Sequence, residues 1–142
     1  MRATHSDAMD TAQVLIVEDE RIVARDLAQR LTRMGHTVVG MVGSGAAAIQ
    51  AATTLHPQVV LMDVGLPGEL DGVAAAAHIG TQLHIPVIYL TGYSGTQTLA
   101  QAATPHPLLY VQKPFDEQAL RDMLTRALAI QRYNPPFDVP AP

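Results

Sequence analysis

The sequence predicts one α/β domain, a doubly wound five-stranded parallel sheet with helices on both faces. Three observations predict it. Short apolar segments alternate five times with helix-like segments over short connections, which is the pattern of a parallel sheet. The apolar segments are nearly continuous rather than alternating, as strands buried on both faces should be. The chain has 142 residues, 48% of them apolar and 15% charged, which suits one ordinary core and excludes global disorder.

Residues 1–11 read as a flexible leader. Gln13–Val17 (QVLIV) is the first strand and stops at Glu18-Asp19-Glu20. Val23, Leu27, Leu31 and Met34 then form the stripe of an amphipathic helix, with Gly35 where a terminating glycine belongs. Thr37–Val42 is the second strand. Ser44 is placed to cap an alanine-rich helix over Ala46–Leu55, which Pro57 stops. Gln58–Met62 (QVVLM) is the third strand, ending at Asp63, and Gly65, Pro67 and Gly68 mark a loop. A third helix is expected over Gly72–Leu83 and a fourth strand over Pro86–Leu90, stopping at Thr91-Gly92. A shorter helix over Ser94–Ala102 precedes the last strand, Leu108–Gln112, which Lys113-Pro114 terminates. Leu120, Met123, Leu124, Ala127 and Leu128 carry the stripe of the final helix. Residues 12–132 are therefore the domain, and 133–142 a proline-rich tail whose last eight residues, PPFDVPAP, cannot be helical.

Composition removes several functional classes. There is no cysteine, so disulfide scaffolds, thiolate metal sites and cysteine nucleophiles are excluded. Thirteen acidic and nine basic side chains give a net charge of −4, which argues against a nucleic-acid surface. No apolar run is long enough to span a membrane, and the N-terminus has no secretory h-region, so a cytoplasmic location is expected. Two features are less ordinary. Lysine occurs once, at Lys113, and the stretch from Gly72 to Gln112 contains no Asp, Glu, Lys or Arg.

In an open parallel sheet the functional crevice lies beyond the carboxyl ends of the strands. In this chain those ends lead into Glu18-Asp19, Asp63, Thr91 and Lys113. Each residue has a plain structural role when taken alone: a helix N-terminus, a turn residue, a strand terminator. Together they place three carboxylates, a hydroxyl and the only lysine on one rim. Crowded carboxylates repel unless a cation lies among them, and Mg²⁺ prefers one or two carboxylates with waters and phosphate oxygens. An aspartate ionised beside such a cation can act as a nucleophile and form an aspartyl-phosphate. An ammonium, a hydroxyl and nearby backbone N–H groups can then serve the phosphoryl oxygens.

The segments VLIVEDE, VVLMDVGLPGELDG, PVIYLTGY and LLYVQKPF resemble, in order and spacing, the receiver domain of two-component response regulators, over about residues 13–130. The resemblance implies the CheY-like (βα)5 fold, related to flavodoxin, with strand order 2-1-3-4-5; that order is the family's, and a receiver protein is itself a standard example of it. It also implies that Asp63 accepts a phosphoryl group from a sensor histidine kinase, and that Asp19 ligates Mg²⁺ directly. By the same resemblance Glu18, the neighbour of Asp19, is expected to act through water and Gly65 to offer a backbone carbonyl to the metal. Thr91 and Lys113 match the residues that meet the phosphoryl group, Tyr110 falls where the family places its switch aromatic, and the Lys113–Pro114 bond is expected to be cis. Three departures stand out. Glu18 replaces a more frequent aspartate, the loop Pro67–Gly72 is one residue longer than usual, and Ala103–Pro107 lacks the common Gly-Ala turn. Tyr93, two residues past Thr91, is a candidate shield against water attack.

Only ten residues lie beyond position 132, so the expectation is a stand-alone regulator whose output is a contact with a downstream protein. A homodimer is expected, through the helix at 94–102, the last strand and the last helix, or through the tail; neither nucleic acid nor membrane is an expected partner. Three rival readings each meet an obstacle in the sequence. A haloacid-dehalogenase-type phosphatase wants a second acid where Gly65 stands. A degenerate receiver that only binds partners should lack one of Asp19, Asp63, Thr91 or Lys113. A flavodoxin-like cofactor binder needs a phosphate loop where Glu18-Asp19-Glu20 would repel phosphate.

Overall fold

The structure is a computed structural model and describes residues 11–64, 69–92 and 109–133. The strands are β1 (Gln13–Val17), β2 (Thr37–Val42), β3 (Val59–Asp63), β4 (Val87–Thr91) and β5 (Leu109–Gln112). The helices are α1 (Arg21–Arg33), α2 (Gly45–Leu55), α3 (Glu69–Gln82) and α4 (Glu117–Tyr133). The strands form one parallel sheet in the order β2-β1-β3-β4-β5, as expected.

The continuous apolar runs are explained by burial on both faces. Val14 and Ile16 of β1, Val59 and Leu61 of β3, and Ile88 and Leu90 of β4 pack under α1 and α4 with Leu27, Leu31, Leu120 and Leu124. The alternate residues Leu15, Val17, Val60, Met62 and Tyr89 pack on the other face with Ala48 and Ala52 of α2 and Ile79 of α3. Gly40 of β2 makes room for two neighbouring side chains. A Cβ there would stand 3.2 Å from a methyl of Leu15 and 3.2 Å from one of Leu55.

Local chemistry ends the helices. α1 closes in a Schellman motif in which the Gly35 N–H donates to Thr32 O at 3.0 Å and the His36 N–H to Leu31 O at 2.9 Å. Gly35 carries the required positive φ of 96°. Ser44 caps α2 by accepting from the Ala47 N–H at 3.1 Å. α2 ends in left-handed His56 (φ 49°), because the residue before Pro57 is disfavoured from continuing a right-handed helix. α4 has a cap that the sequence pattern did not suggest: Asp116 Oδ2 accepts from the Ala119 N–H at 3.0 Å.

Several boundaries differ from expectation. β3 and β4 each begin and end one residue later than predicted, so Asp63 and Thr91 are the last residues of their strands rather than the first residues past them. α3 starts at Glu69, not Gly72. α4 is longer at both ends than its apolar stripe. The expected leader over 1–11 lies outside the described residues except for Thr11, and the expected tail over 133–142 except for Tyr133, which ends α4; the helix over 94–102, Gly65 and Tyr93 also lie outside them.

Candidate functional site

Strand register assembles the rim. Val17 of β1 lies beside Met62 of β3, so the next residues, Glu18 and Asp63, emerge at the same level on neighbouring strands. Leu90 lies beside Asp63, and Thr91 beside Gln112, so Lys113 comes one step above Thr91. The Lys113 N–H donates to Thr91 O at 2.7 Å, extending the β4–β5 pairing to the lysine, and the Lys113–Pro114 bond is cis.

The lysine side chain turns back over the carboxylates. Nζ lies 3.3 Å from Asp63 Oδ1 and 3.6 Å from Glu18 Oε1; the first is hydrogen-bonded and the second is an ion pair only. The Glu18 side chain is wholly buried, Asp63 is nearly so, and Lys113 is about one-third exposed. Asp19 is exposed. One carboxylate oxygen from each of Glu18, Asp19 and Asp63 falls within 4.8 Å of the others.

The arrangement is short of positive charge. Glu18 Oε2 accepts the Glu20 N–H at 3.1 Å, but Oε1 is buried without a hydrogen-bond partner among the described residues. Burial pushes the Glu18 carboxyl up to about 7, against the Glu20 N–H that lowers it; the charge of Asp63 raises it further, and Lys113 offsets only part. Burial lowers the affinity of Lys113 for its proton, but Asp63 and then Glu18 outweigh it and the ammonium is held above its ordinary value. A hard divalent cation with oxygen ligands fits this donor set, because it would neutralise the crowded carboxylates and give Glu18 Oε1 a partner.

Thr91 completes the rim. It is fully buried, and its Oγ1 has no hydrogen-bond partner among the described residues. Tyr110 stands beside Tyr89 in register, two residues before the level of Thr91, so Thr91 and Tyr110 leave the sheet on the same face. Tyr110 is 40% exposed, whereas Tyr89 is buried. The structure thus brings Glu18, Asp19, Asp63, Thr91 and Lys113 to one rim. The Glu20 amide that anchors Glu18 was not expected; a carboxylate two residues before an amide at a helix start is the turn signal that could have found it.

Comparisons with known proteins agree with this fold. The family model for the response regulator receiver domain matches residues 14–125. The transcriptional regulatory protein PdtaR of Mycobacterium tuberculosis is 34% identical over 132 residues, covering 92% of this chain and 62% of that protein. The phyllosphere-induced regulator PhyR of Methylorubrum extorquens is 27% identical over 121 residues, covering 84% of this chain and 45% of its own length. The chain thus spans less than two-thirds of either relative. Among solved structures, the receiver domain of Erythrobacter litoralis PhyR superposes with a TM-score of 0.76 at 32% identity, covering 93% of this chain and 99% of that one. The anti-anti-sigma factor PhyR of Bartonella quintana gives 0.77 at 26% identity, covering 93% and 54%. No helix among the described residues is long and apolar enough to cross a membrane.

Proposed function

The chain belongs to the response regulator receiver domain family, and from that premise we propose that it is the phosphoacceptor of a two-component relay, with Asp63 as the accepting carboxylate. The observation that carries this reading is the buried Asp63 under the Lys113 ammonium, beside a second buried carboxylate, one oxygen of which has no hydrogen bond among the described residues. A sensor histidine kinase is the donor. An Asp63 oxygen attacks the phosphorus of its phosphohistidine; the O–P bond forms as the P–N bond breaks, and the departing imidazole takes the electron pair and then a proton from water. Hydrolysis of the acyl phosphate later returns the free carboxylate and inorganic phosphate.

The residues divide the work. Lys113 holds its proton and faces the position where the transferred group's negative charge develops. Thr91 offers a buried hydroxyl with no competing partner among the described residues. Glu18, Asp19 and Asp63, with the Gly65 carbonyl, would hold Mg²⁺. When bound, that ion supplies electrostatic neutralisation of phosphoryl oxygens. Phosphorylation adds about −1.5 to −2 charges at Asp63. Thr91 is drawn toward them, and Tyr110, on the same face, moves into the space released. The altered β5 surface is then read by a downstream protein or by a second copy of this chain in the cytoplasm. Neither nucleic acid nor membrane is part of this reading.

The test is direct. Acetyl phosphate and Mg²⁺ should add about 80 Da to the folded protein. Asp63→Asn should gain nothing, and chelation should abolish the gain in wild type. An unchanged mass in wild-type protein with every competent donor rejects the proposal, and the phosphorylation-independent binding module then becomes the better reading.

A further inference from the structure

The charge of this chain is distributed unevenly between its two helical layers. α1 and α4, on one face of the sheet, carry seven arginines against three carboxylates. On the other face α2 has no charged residue and α3 has only Glu69 and Asp71. The basic layer encloses a cleft of about 500 Å³ beside the N-terminal ends of β1 and β2, at the opposite ends of the strands from Asp63. Arg33 and Met34 line it from the end of α1, His36 from the turn that comes next, and Arg121, Leu124 and Thr125 from α4.

We propose that this cleft binds a small organic anion, a carboxylate or phosphate head on an apolar or aromatic body. Arg33 is exposed, and its guanidinium makes no ion pair or hydrogen bond with any described residue. Arg121 commits Nη2 to Glu117 Oε2 at 3.3 Å, a half-exposed pair of small worth that leaves its other N–H donors available. No carboxylate is among the described residues that line the cleft. Two guanidiniums from two different elements suit the paired oxygens of a carboxylate or phosphate.

The rest of the lining limits the ligand further. His36 is buried, and its Nδ1 accepts the Ala12 N–H at 3.0 Å, which fixes the ring as a wall of the cleft. The Thr125 hydroxyl donates to Arg121 O at 3.0 Å, so its proton is committed. Met34 and Leu124 are apolar walls. A bare inorganic ion would leave those walls unused, and the volume falls in the range of small-molecule pockets. A cation at the end of α1 also complements the helix dipole, but Arg30 already stands in that last turn, paired with Asp26. The dipole gives no reason for a second arginine to face the cleft from α4.

The full-length chain, in chelator and without Mg²⁺, is titrated with phenyl phosphate, benzoate, inorganic phosphate and phenol while backbone amide NMR shifts are monitored. Phenyl phosphate and benzoate should give saturable shifts at Gly35, His36 and Thr125, with phosphate weaker and phenol without effect. Arg33→Gln and Arg121→Gln should each weaken phenyl phosphate binding by about tenfold, roughly one lost charge-assisted contact. Both side chains are exposed and distant from Asp63, so the variants should keep wild-type amide dispersion and phosphoryl uptake. The proposal is overturned if no shift saturates, if both variants bind as wild type does, or if phenol binds equally. Equal binding of inorganic and phenyl phosphate overturns the organic body. Shifts confined to the Asp63 rim overturn the location.

Discussion

Lys113 reaches Asp63 across an intervening strand. Asp63 ends β3 and Lys113 directly follows β5, two strands that do not pair, yet Nζ lies 3.3 Å from Oδ1 because the long lysine arm reaches past the end of β4 between them. The ammonium also stands 3.6 Å from Glu18, so one cation serves two buried carboxylates. Removing it should leave like charges facing each other in a poorly solvated place.

Lys113→Ala should therefore destabilise the metal-free protein by about 1 kcal/mol at pH 8, a value kept small because the ammonium is partly exposed. The cost should shrink at pH 5.5, where Glu18 is neutral and the repulsion is gone. Urea melts of both proteins at the two pH values check this. A cost that grows on acidification contradicts it.

Glu18 makes the metal-free fold sensitive to alkali. Its carboxyl rises from an ordinary value of 4.5 when unfolded to about 7 when folded, so between these values the folded state holds the extra proton. The stability this contributes is complete below 4.5 and is lost as the pH climbs through about 7. Glu18→Gln should flatten that dependence and be more stable than wild type in chelator at pH 8, by at most about 3 kcal/mol. Mg²⁺ should narrow the difference by stabilising wild type alone. Melts from pH 5 to 8.5, with chelator and with Mg²⁺, measure both effects; an unchanged slope in the variant rejects the assignment to Glu18.

Thr91 should behave as a residue kept for something other than stability. Its buried hydroxyl has no partner among the described residues, so Thr91→Val should be neutral or stabilising by up to about 1 kcal/mol in unphosphorylated protein. The same variant should change the lifetime of the phosphorylated form, measured by intact mass. Thr91→Ala should cost about 1 kcal/mol through the cavity left by its methyl. A clear loss of stability in Thr91→Val would show that the hydroxyl is satisfied in solution.

His36 ties the entry of β1 to the end of α1. His36→Phe fills the space but removes the acceptor of the Ala12 N–H, so it should cost about 1–3 kcal/mol. It should also speed amide exchange at Ala12 more than at Val60, deep in β3. Uniform acceleration across the sheet would point to a packing defect instead.

Much of this protein is determined locally. QVLIV and most of QVVLM are strands, as short continuous apolar runs bounded by polar or turn residues suit burial on both faces of a sheet, and Gly35 and Ser44 end and begin helices through their own backbone and side-chain chemistry. Placing Glu18, Asp63, Thr91 and Lys113 on one rim needed only strand direction, since all stand at strand ends in a parallel sheet. Residue by residue, however, that rim is ordinary: an acidic triplet, a turn aspartate, a Lys-Pro. Only the tertiary structure decided that Glu18 is buried while Asp19 is exposed, that one Glu18 oxygen has no hydrogen bond among the described residues, and that Lys113 spans β4 to reach both buried carboxylates. Those outcomes depend on register and on which side chains cover which, and so on residues distant in the chain. The cleft between Arg33 and Arg121 is of the same kind. Eighty-odd residues separate the two arginines, and nothing in either helix alone announces the other. Pattern along the chain specifies elements and their order, whereas solvation and electrostatics are set by the neighbours that folding supplies.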